Sequence, residues 1–281
     1  MTNSNLIFAA AMLAVLNLST AAQATESLQQ SYPDNIDGET VASLNENSLA
    51  INIHIDGTYS GPGWDHLIAE SEKAGIVILG EQHATADIPA LANQLHETLK
   101  SDALAIEVGP WSTRYAVELI KNGAGTLETW QARSGHGFAF PFLFFAEESK
   151  AAEKMALRSP DKIEPLWGLD QEFVGSGASL LPILQREAKT DAQKAAVESF
   201  GAAQSKDPMM VGSIDGPAID SLASAFAGNA IVGEIMTALR MTSAIYAPYT
   251  RRTGRFYEAN LKRENYMKSN FVAAYNRAKS K

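Results

Sequence analysis

Two apolar segments that each end in a carboxylate constrain the fold of this chain more than any other feature. Residues 76–79 read Ile-Val-Ile-Leu and lead through a glycine to Glu81 and His83, and residues 103–106 read Ala-Leu-Ala-Ile and lead directly to Glu107. Continuous apolar runs of this length are typical of the buried strands of a parallel sheet. Ligands bind at the carboxyl ends of such strands. The sequence therefore predicts that Glu81, His83 and Glu107 lie at one functional edge of a sheet.

The rest of the chain favours a single α/β domain. Residues 89–99, between the two strands, have the periodicity of a helix, and residues 165–170 form a third predicted strand that ends in Asp170. Residues 175–250 are Ala-rich and helical, which predicts a helical insertion over the carboxyl ends of the strands. We therefore predict a central, mainly parallel sheet flanked by helices, in one domain over residues 49–281.

An aromatic run with five phenylalanines follows His136. Its composition predicts the start of one helix over residues 138–155, and the first turns of that helix are apolar on every side. Such a segment is either buried or lines an apolar pocket. His136 itself lies between two glycines and is either a ligand-binding residue or a loop residue. His66 and His96 are predicted to be exposed residues of helices.

The last predicted helix, residues 256–277, places Arg263 on a stripe of apolar residues. A buried guanidinium is costly unless an anion pairs with it. We therefore expect Glu81, Glu107 or Asp170 to be its partner.

The N-terminus predicts export. An apolar run over residues 6–18 is too short to span a bilayer comfortably, and it is followed by Ala-Gln-Ala, a pattern that signal peptidase cleaves. We expect a signal peptide over residues 1–24, a flexible segment over residues 25–48, and a periplasmic or secreted mature protein with no membrane span.

Composition excludes several classes of chemistry and of partner. The chain contains no Cys, which excludes disulfides, thiol nucleophiles and thiolate metal sites. Its net charge of -9 argues against nucleic acid as a partner. The charge is uneven, because the chain from residue 251 onward carries nine Lys and Arg against two Glu. This basic end predicts either a solvated helix face or a site for an anionic ligand.

The pairing of Glu81 with His83 predicts general-base hydrolysis. A carboxylate can orient an imidazole, and an imidazole can take a proton from water near neutral pH. Arg263 and the backbone N–H groups after Glu81 are then candidate donors to an oxyanion. Alternatively, Glu81 and Arg263 form an internal salt bridge and His83 is a loop histidine. Glu81, His83, Glu107 and His136 are also suitable metal ligands, but their spacing specifies no metal.

The order of these motifs resembles that of the erythromycin esterase, ChaN and Tiki superfamily. The matching elements are Gly-Glu-x-His at residues 80–83, the strand that ends in Glu107, Trp-Gly-Leu-Asp at residues 167–170 and Arg-Glu-x-x-Met at residues 263–267. The resemblance implies a parallel-sheet α/β fold with one cleft. The Gly-Glu-x-His spacing is similar to that of the ChaN and Tiki branches, which argues against macrolide esterase activity.

The resemblance also implies a set of site residues. The implied catalytic residues are Glu81, His83, Glu107 and Arg263, and the candidate substrate-binding residues beside them are Trp111, Arg114, His136 and Asp170. Members of the superfamily commonly carry a further strand and a Gly-x-x-His segment after the arginine helix. The resemblance therefore implies either a second site histidine beyond the end of this sequence or a branch that works without it.

Several functions are compatible with these residues. The first is an exported hydrolase of ester or amide bonds that acts on a small molecule. The second is a ChaN-like periplasmic protein that binds haem, or another apolar anion, between the aromatic segment and the basic last helix. The third is a metal-dependent peptidase of the Tiki kind, or an inactive homologue. The sequence requires no cofactor, and haem and a divalent metal are the candidates.

Overall fold

A computed structural model describes most of the chain. The described residues are 6–11, 38–81, 83, 85–123, 126–133, 135–158, 164–212, 216–252 and 254–280. The signal peptidase pattern and most of residues 1–37 lie outside them.

The strands form a four-stranded parallel sheet and a small antiparallel hairpin. They are β1 (Leu6–Ala11), β2 (Asn52–Ile53), β3 (Tyr59–Ser60), β4 (Ile76–Glu81), β5 (Ala103–Ile106) and β6 (Leu166–Gly168). The sheet order is β4-β1-β5-β6, and β2 pairs with β3 in the hairpin. The three apolar runs predicted as core strands are β4, β5 and β6. The sheet is small, because its four strands are only three to six residues long. Most of the described chain is helical.

The first strand, β1, lies in the middle of the sheet, between β4 and β5. It falls within residues 1–24, which the sequence predicts as a signal peptide. Cleavage of that peptide would remove this strand from the sheet.

Eleven α-helices complete the described part of the chain. They are α1 (Gly38–Asn47), α2 (Pro62–Ser71), α3 (Asp87–Leu99), α4 (Pro110–Lys121), α5 (Leu127–Gln131), α6 (Ala146–Arg158), α7 (Gly177–Glu187), α8 (Asp191–Lys206), α9 (Gly216–Ala225), α10 (Ala230–Thr250) and α11 (Phe256–Lys279). The mixed α/β class is therefore confirmed. None of these helices has the length and apolar composition that crossing a bilayer requires.

Helices cover the two faces of the sheet differently. Leu104, Ile106 and Leu166 face a core that includes residues of α3, α4 and α6. On the other face, Ala103 and Ala105 pack against α11. Side chains of a strand alternate between faces, and the small alanines leave room for α11 to lie close to the sheet. This close packing brings Arg263 of α11 to the ends of β5 and β6.

A second core lies among α7, α8, α9 and α10, and Trp111 of α4 joins it. These four helices occupy most of the segment that was predicted to be helical from its Ala-rich composition.

The prediction of a helix over residues 138–155 is wrong in its first half. The helix α6 begins at Ala146, and residues 138–145 form an irregular loop, which we call the aromatic loop. Its backbone is left-handed at Phe138 (φ 58°) and Phe142 (φ 60°), which a helix does not permit. The side chain of Gln131 organises the loop by donating to the Leu143 carbonyl (2.7 Å) and accepting from the Phe140 N–H (3.1 Å).

The two predictions for surface histidines have different outcomes. His66 is exposed on α2 as predicted. His96 is buried, so the prediction of exposure is wrong. The Ser101 hydroxyl lies 2.8 Å from Nδ1 of His96 and gives this buried nitrogen a hydrogen-bond partner. Burial lowers the pKa of His96.

Candidate functional site

Two carboxylates lie at the carboxyl ends of neighbouring strands. Glu107 follows β5 and Asp170 follows β6, and both side chains are buried. The register pairs Ile106 with Gly168, and the Asp170 N–H donates to the Val108 carbonyl (3.2 Å). The parallel sheet therefore holds the two carboxylates side by side.

Arg263 of α11 binds both carboxylates. Its Nε donates to Asp170 Oδ1 (2.8 Å) and to Gln171 Oε1 (3.2 Å), and its Nη2 donates to Asp170 Oδ2 (2.5 Å) and to Glu107 Oε1. We call Glu107, Asp170, Gln171 and Arg263 the arginine cluster. Two of the three partners that the sequence predicted for Arg263 are therefore confirmed.

The charges of the arginine cluster do not balance, because one guanidinium faces two carboxyl groups. Burial raises the pKa of Asp170, although the hydrogen bond and charge of Arg263 act in the opposite direction. Burial alone would lower the pKa of Arg263, but its hydrogen bonds to the carboxylates and their charges raise it overall. The guanidinium therefore stays charged and holds α11 to the ends of β5 and β6.

Two further helical residues surround the arginine cluster. Gln171 donates to the Tyr246 hydroxyl of α10 (3.3 Å), and Asn270 of α11 donates to the Leu169 carbonyl (2.7 Å). Burial raises the pKa of Tyr246. These contacts tie both long helices to the segment after β6.

His83 follows β4 at the same edge of the sheet. Its ring stacks on Phe142 of the aromatic loop, with centroids 4.5 Å apart and planes at 24°. The side chain is half-buried, and its Nδ1 is buried. Glu81 ends β4, but its side chain lies outside the described part of the structure. Because β1 separates β4 from β5 and strands are about 4.8 Å apart, the backbones at Glu81 and Glu107 are about 10 Å apart.

Sequence reasoning missed a third buried carboxyl group, Glu172. It accepts from the backbone N–H of Trp111 (2.8 Å) and of Ser112 (3.3 Å), so it caps the N-terminus of α4 from a distant part of the chain. Gly109 precedes α4, and a Cβ there would overlap this carboxyl group. The sequence signal was present in Asp-Gln-Glu at residues 170–172, since the last of these residues also follows a strand end.

The hydroxyl contacts around Glu172 favour a bound proton. Ser112 Oγ lies 2.5 Å from Glu172 Oε2 and 2.8 Å from Ser179 Oγ, and Ser179 Oγ donates to the Ser176 carbonyl (2.8 Å). These three contacts need three protons, and the hydroxyls of Ser112 and Ser179 supply only two. With a proton on Glu172, Glu172 donates to Ser112, Ser112 donates to Ser179, and Ser179 donates to the Ser176 carbonyl. Burial raises the pKa of Glu172 to about 7, although the hydrogen bonds from Ser112 and Trp111 favour the ionised form.

We expect the folded protein to lose stability as the pH rises through about 7. The pKa of Glu172 is higher in the folded chain than its ordinary value of 4.5, so folding takes up a proton. The stabilising contribution is therefore complete below the unfolded pKa and is lost above the folded one. It amounts to roughly 3 kcal/mol at most. Urea unfolding from about pH 4 to about pH 8 measures it.

The control is Glu172→Gln, whose amide keeps the hydrogen bonds of the protonated acid with the Trp111 N–H and Ser112 Oγ and loses the one from the Ser112 N–H. Its oxygen can accept from the Trp111 N–H and its NH₂ group can donate to Ser112 Oγ. We expect a flatter dependence of the unfolding free energy on pH, with a residual slope from Asp170, whose pKa is also raised. The same slope in parent and variant would contradict the assignment to Glu172.

The other predicted substrate-binding residues lie in separate environments. Trp111 is buried among the helices of the second core, and the guanidinium of Arg114 lies 4.4 Å from the centre of its ring. His136 stacks on Trp130 with centroids 4.1 Å apart, and its Nδ1 lies 3.1 Å from the Trp130 carbonyl. Of the candidate substrate-binding residues, Asp170 is the one that binds the predicted catalytic residue Arg263, which also binds Glu107.

The described residues contain no group of three His, Cys, Asp or Glu arranged to hold a metal ion. The side chain of Glu81, one of the predicted ligands, lies outside the described part of the structure. The described Lys and Arg of the basic end are exposed except for Arg263, as a solvated face requires. Arg277, for example, pairs with Glu164 at 3.0 Å on the surface.

Comparisons of the chain with protein-family models, with curated proteins and with solved structures found no match.

Proposed function

We propose that this protein hydrolyses ester or amide bonds of a small molecule, with His83 as the general base. The observation that carries the proposal is the position of His83, half-buried against Phe142 at the strand edge that also bears Glu107, Asp170 and Arg263. The sequence resemblance to the erythromycin esterase, ChaN and Tiki superfamily supports the same reaction class. The proposal includes an insertion of α7–α10 over the carboxyl ends of a central sheet. Export by the predicted signal peptide is proposed separately, because cleavage after residue 24 would remove β1 from between β4 and β5.

In the proposed reaction His83 takes a proton from water as the water oxygen bonds to the substrate carbonyl carbon. The carbonyl π electrons move to oxygen, and the backbone N–H groups after Glu81 stabilise the resulting oxyanion. The intermediate then reforms the carbonyl and breaks the bond to the leaving oxygen or nitrogen. That leaving atom receives the proton from the imidazolium. Because Nδ1 of His83 is buried, we assign the proton transfers to Nε2.

The arginine cluster has a positioning role in this mechanism. The Nε and Nη2 atoms of Arg263 bind Asp170, Gln171 and Glu107, so they are not available to an oxyanion in this arrangement. The cluster instead fixes the ends of β5 and β6 relative to α11. Rigid strand ends favour catalysis because reacting groups must be held in a narrow range of geometry.

A second candidate function, haem binding without hydrolysis, is favoured by one observation. The aromatic loop exposes the rings of Phe138, Phe144 and Phe145 beside a histidine-bearing edge. Apolar rings next to an imidazole suit a porphyrin. Titration with haem tests this function, since a bound haem shifts its Soret band.

The proposed function is tested with the purified protein and a small panel of substrates. The panel is p-nitrophenyl acetate, p-nitrophenyl butyrate and an acetylated alanine p-nitroanilide, each measured with and without a chelator. Turnover above the buffer rate that survives chelation is the expected result. Turnover that the chelator removes would favour the metal-dependent peptidase. No turnover with any substrate, together with a Soret shift on haem addition, would favour the binding protein.

A further inference from the structure

The aromatic loop turns three large apolar side chains toward solvent. Phe138, Phe144 and Phe145 are 42%, 40% and 49% exposed. Their rings contact one another, with centroids 5.6 Å apart for Phe138 and Phe144 and 5.6 Å apart for Phe144 and Phe145. Single exposed apolar residues need no explanation, but a contiguous group of rings marks a binding surface.

The same loop is held firmly by its other residues. Phe140 and Leu143 are buried in the core beneath the sheet, and the Ser149 hydroxyl donates to the Leu143 carbonyl (2.7 Å). The outward rings are therefore presented by an anchored segment. Two bulky residues, Phe138 and Phe142, also adopt the left-handed conformation, which is costly for such side chains. Strain of this kind is concentrated at binding and catalytic sites.

The loop connects directly to the proposed base. Phe142 stacks on His83, and Phe144 follows two residues later, which places it within about 7 Å along the chain. The loop contains no charged residue. Its occupant is therefore neutral and apolar at the end that contacts the rings.

From these observations we propose that Phe138, Phe144 and Phe145 form a binding subsite for the apolar acyl chain or aryl group of a neutral ester. This subsite rests on the proposed hydrolysis at His83 for the identity of the reacting bond. An acyl group held on the rings presents its carbonyl carbon toward His83. Apolar groups gain free energy in proportion to the area that they bury, and aromatic partners add to it.

Two measurements test the subsite, and one does not depend on turnover. The first is binding of 2-acetonaphthone, a neutral ketone that cannot be hydrolysed, followed by saturation-transfer NMR. The second is kcat/KM for p-nitrophenyl acetate, butyrate, hexanoate and octanoate. The variant is Phe144→Ser with Phe145→Ser, and the matched control is Leu157→Ser, an exposed apolar residue of α6.

We expect the parent and the control to bind the ketone and to prefer the longer esters. The double variant should bind the ketone about tenfold more weakly and lose the chain-length preference. Ketone binding that depends on the two rings, in a protein without esterase activity, would uphold the subsite and overturn the hydrolysis. Ester turnover that the double variant leaves unchanged would uphold the hydrolysis and overturn the subsite. Binding to phosphatidylcholine vesicles that the variant loses, with unchanged ketone binding, would replace the subsite with a membrane contact.

Discussion

Replacing His83 with Ala is expected to remove most of the ester hydrolysis and to leave the fold intact. A positioned general base contributes about 10²–10⁴-fold to a rate, so kcat should fall by that factor while KM changes little. The side chain is half-buried on a loop, where its ring stacks on Phe142, so the free energy of unfolding should change by about 1 kcal/mol or less. Initial rates and urea unfolding of the same preparation measure both quantities.

The chain offers a matched control for this variant. His66 is exposed on α2, away from the strand ends, and His66→Ala should keep both the rate and the stability of the parent. A His83→Ala protein with the full rate would contradict the assignment of the base. It would then leave His83 as a packing partner of Phe142.

The strand ends were predictable because their signal is local. Runs of four apolar residues at positions 76–79 and 103–106 identify buried strands without any knowledge of the fold, and parallel strands bring their ends together. The partner of Arg263 followed from charge alone, since a cation on an apolar helix stripe needs a carboxylate. For this reason Glu107 and Asp170 were expected among three candidate partners, of which Glu81 was the third.

The features that the sequence did not predict share a different cause, which is that the residues that determine them lie outside the segment concerned. The backbone N–H groups that bind Glu172 belong to Trp111 and Ser112, some sixty positions earlier. The sequence of the aromatic loop alone predicts a helix, but hydrogen bonds with the side-chain amide of Gln131 stabilise an irregular conformation. Composition predicts that a segment such as the aromatic loop is apolar, but hydrogen bonds to residues outside the segment determine its conformation.

The two buried carboxyl systems that follow β5 and β6 limit their negative charge by different means. Asp170 and Glu107 share the guanidinium of Arg263, whereas Glu172 gains stability by binding a proton. The edge of the sheet therefore combines a permanent ion pair network with a group that titrates near neutral pH. The proton on Glu172 makes stability fall as the pH rises toward neutral, and the arginine cluster depends on an intact Arg263.

Replacing Arg263 with Ala is expected to destabilise the protein by about 3–5 kcal/mol, because it leaves two carboxylates buried together without a cation. Much of this cost comes from the unpaired charges. A triple variant, Glu107→Gln, Asp170→Asn and Arg263→Met, removes every charge of the cluster and should recover a large part of the loss. Urea unfolding gives the free energy of each variant, provided that each transition remains two-state.

The matched control, Arg277, lies about four helical turns further along the same helix. Arg277 pairs with Glu164 at 3.0 Å, but both side chains are about half-exposed, so Arg277→Ala should cost about 1 kcal/mol or less. The contrast between the two arginines isolates the effect of burial, since residue type, helix and substitution are the same. Equal losses from Arg263→Ala and Arg277→Ala would mean that the strand ends admit water freely. The carboxylates would then need no cation, and the positioning role of the arginine cluster would be withdrawn.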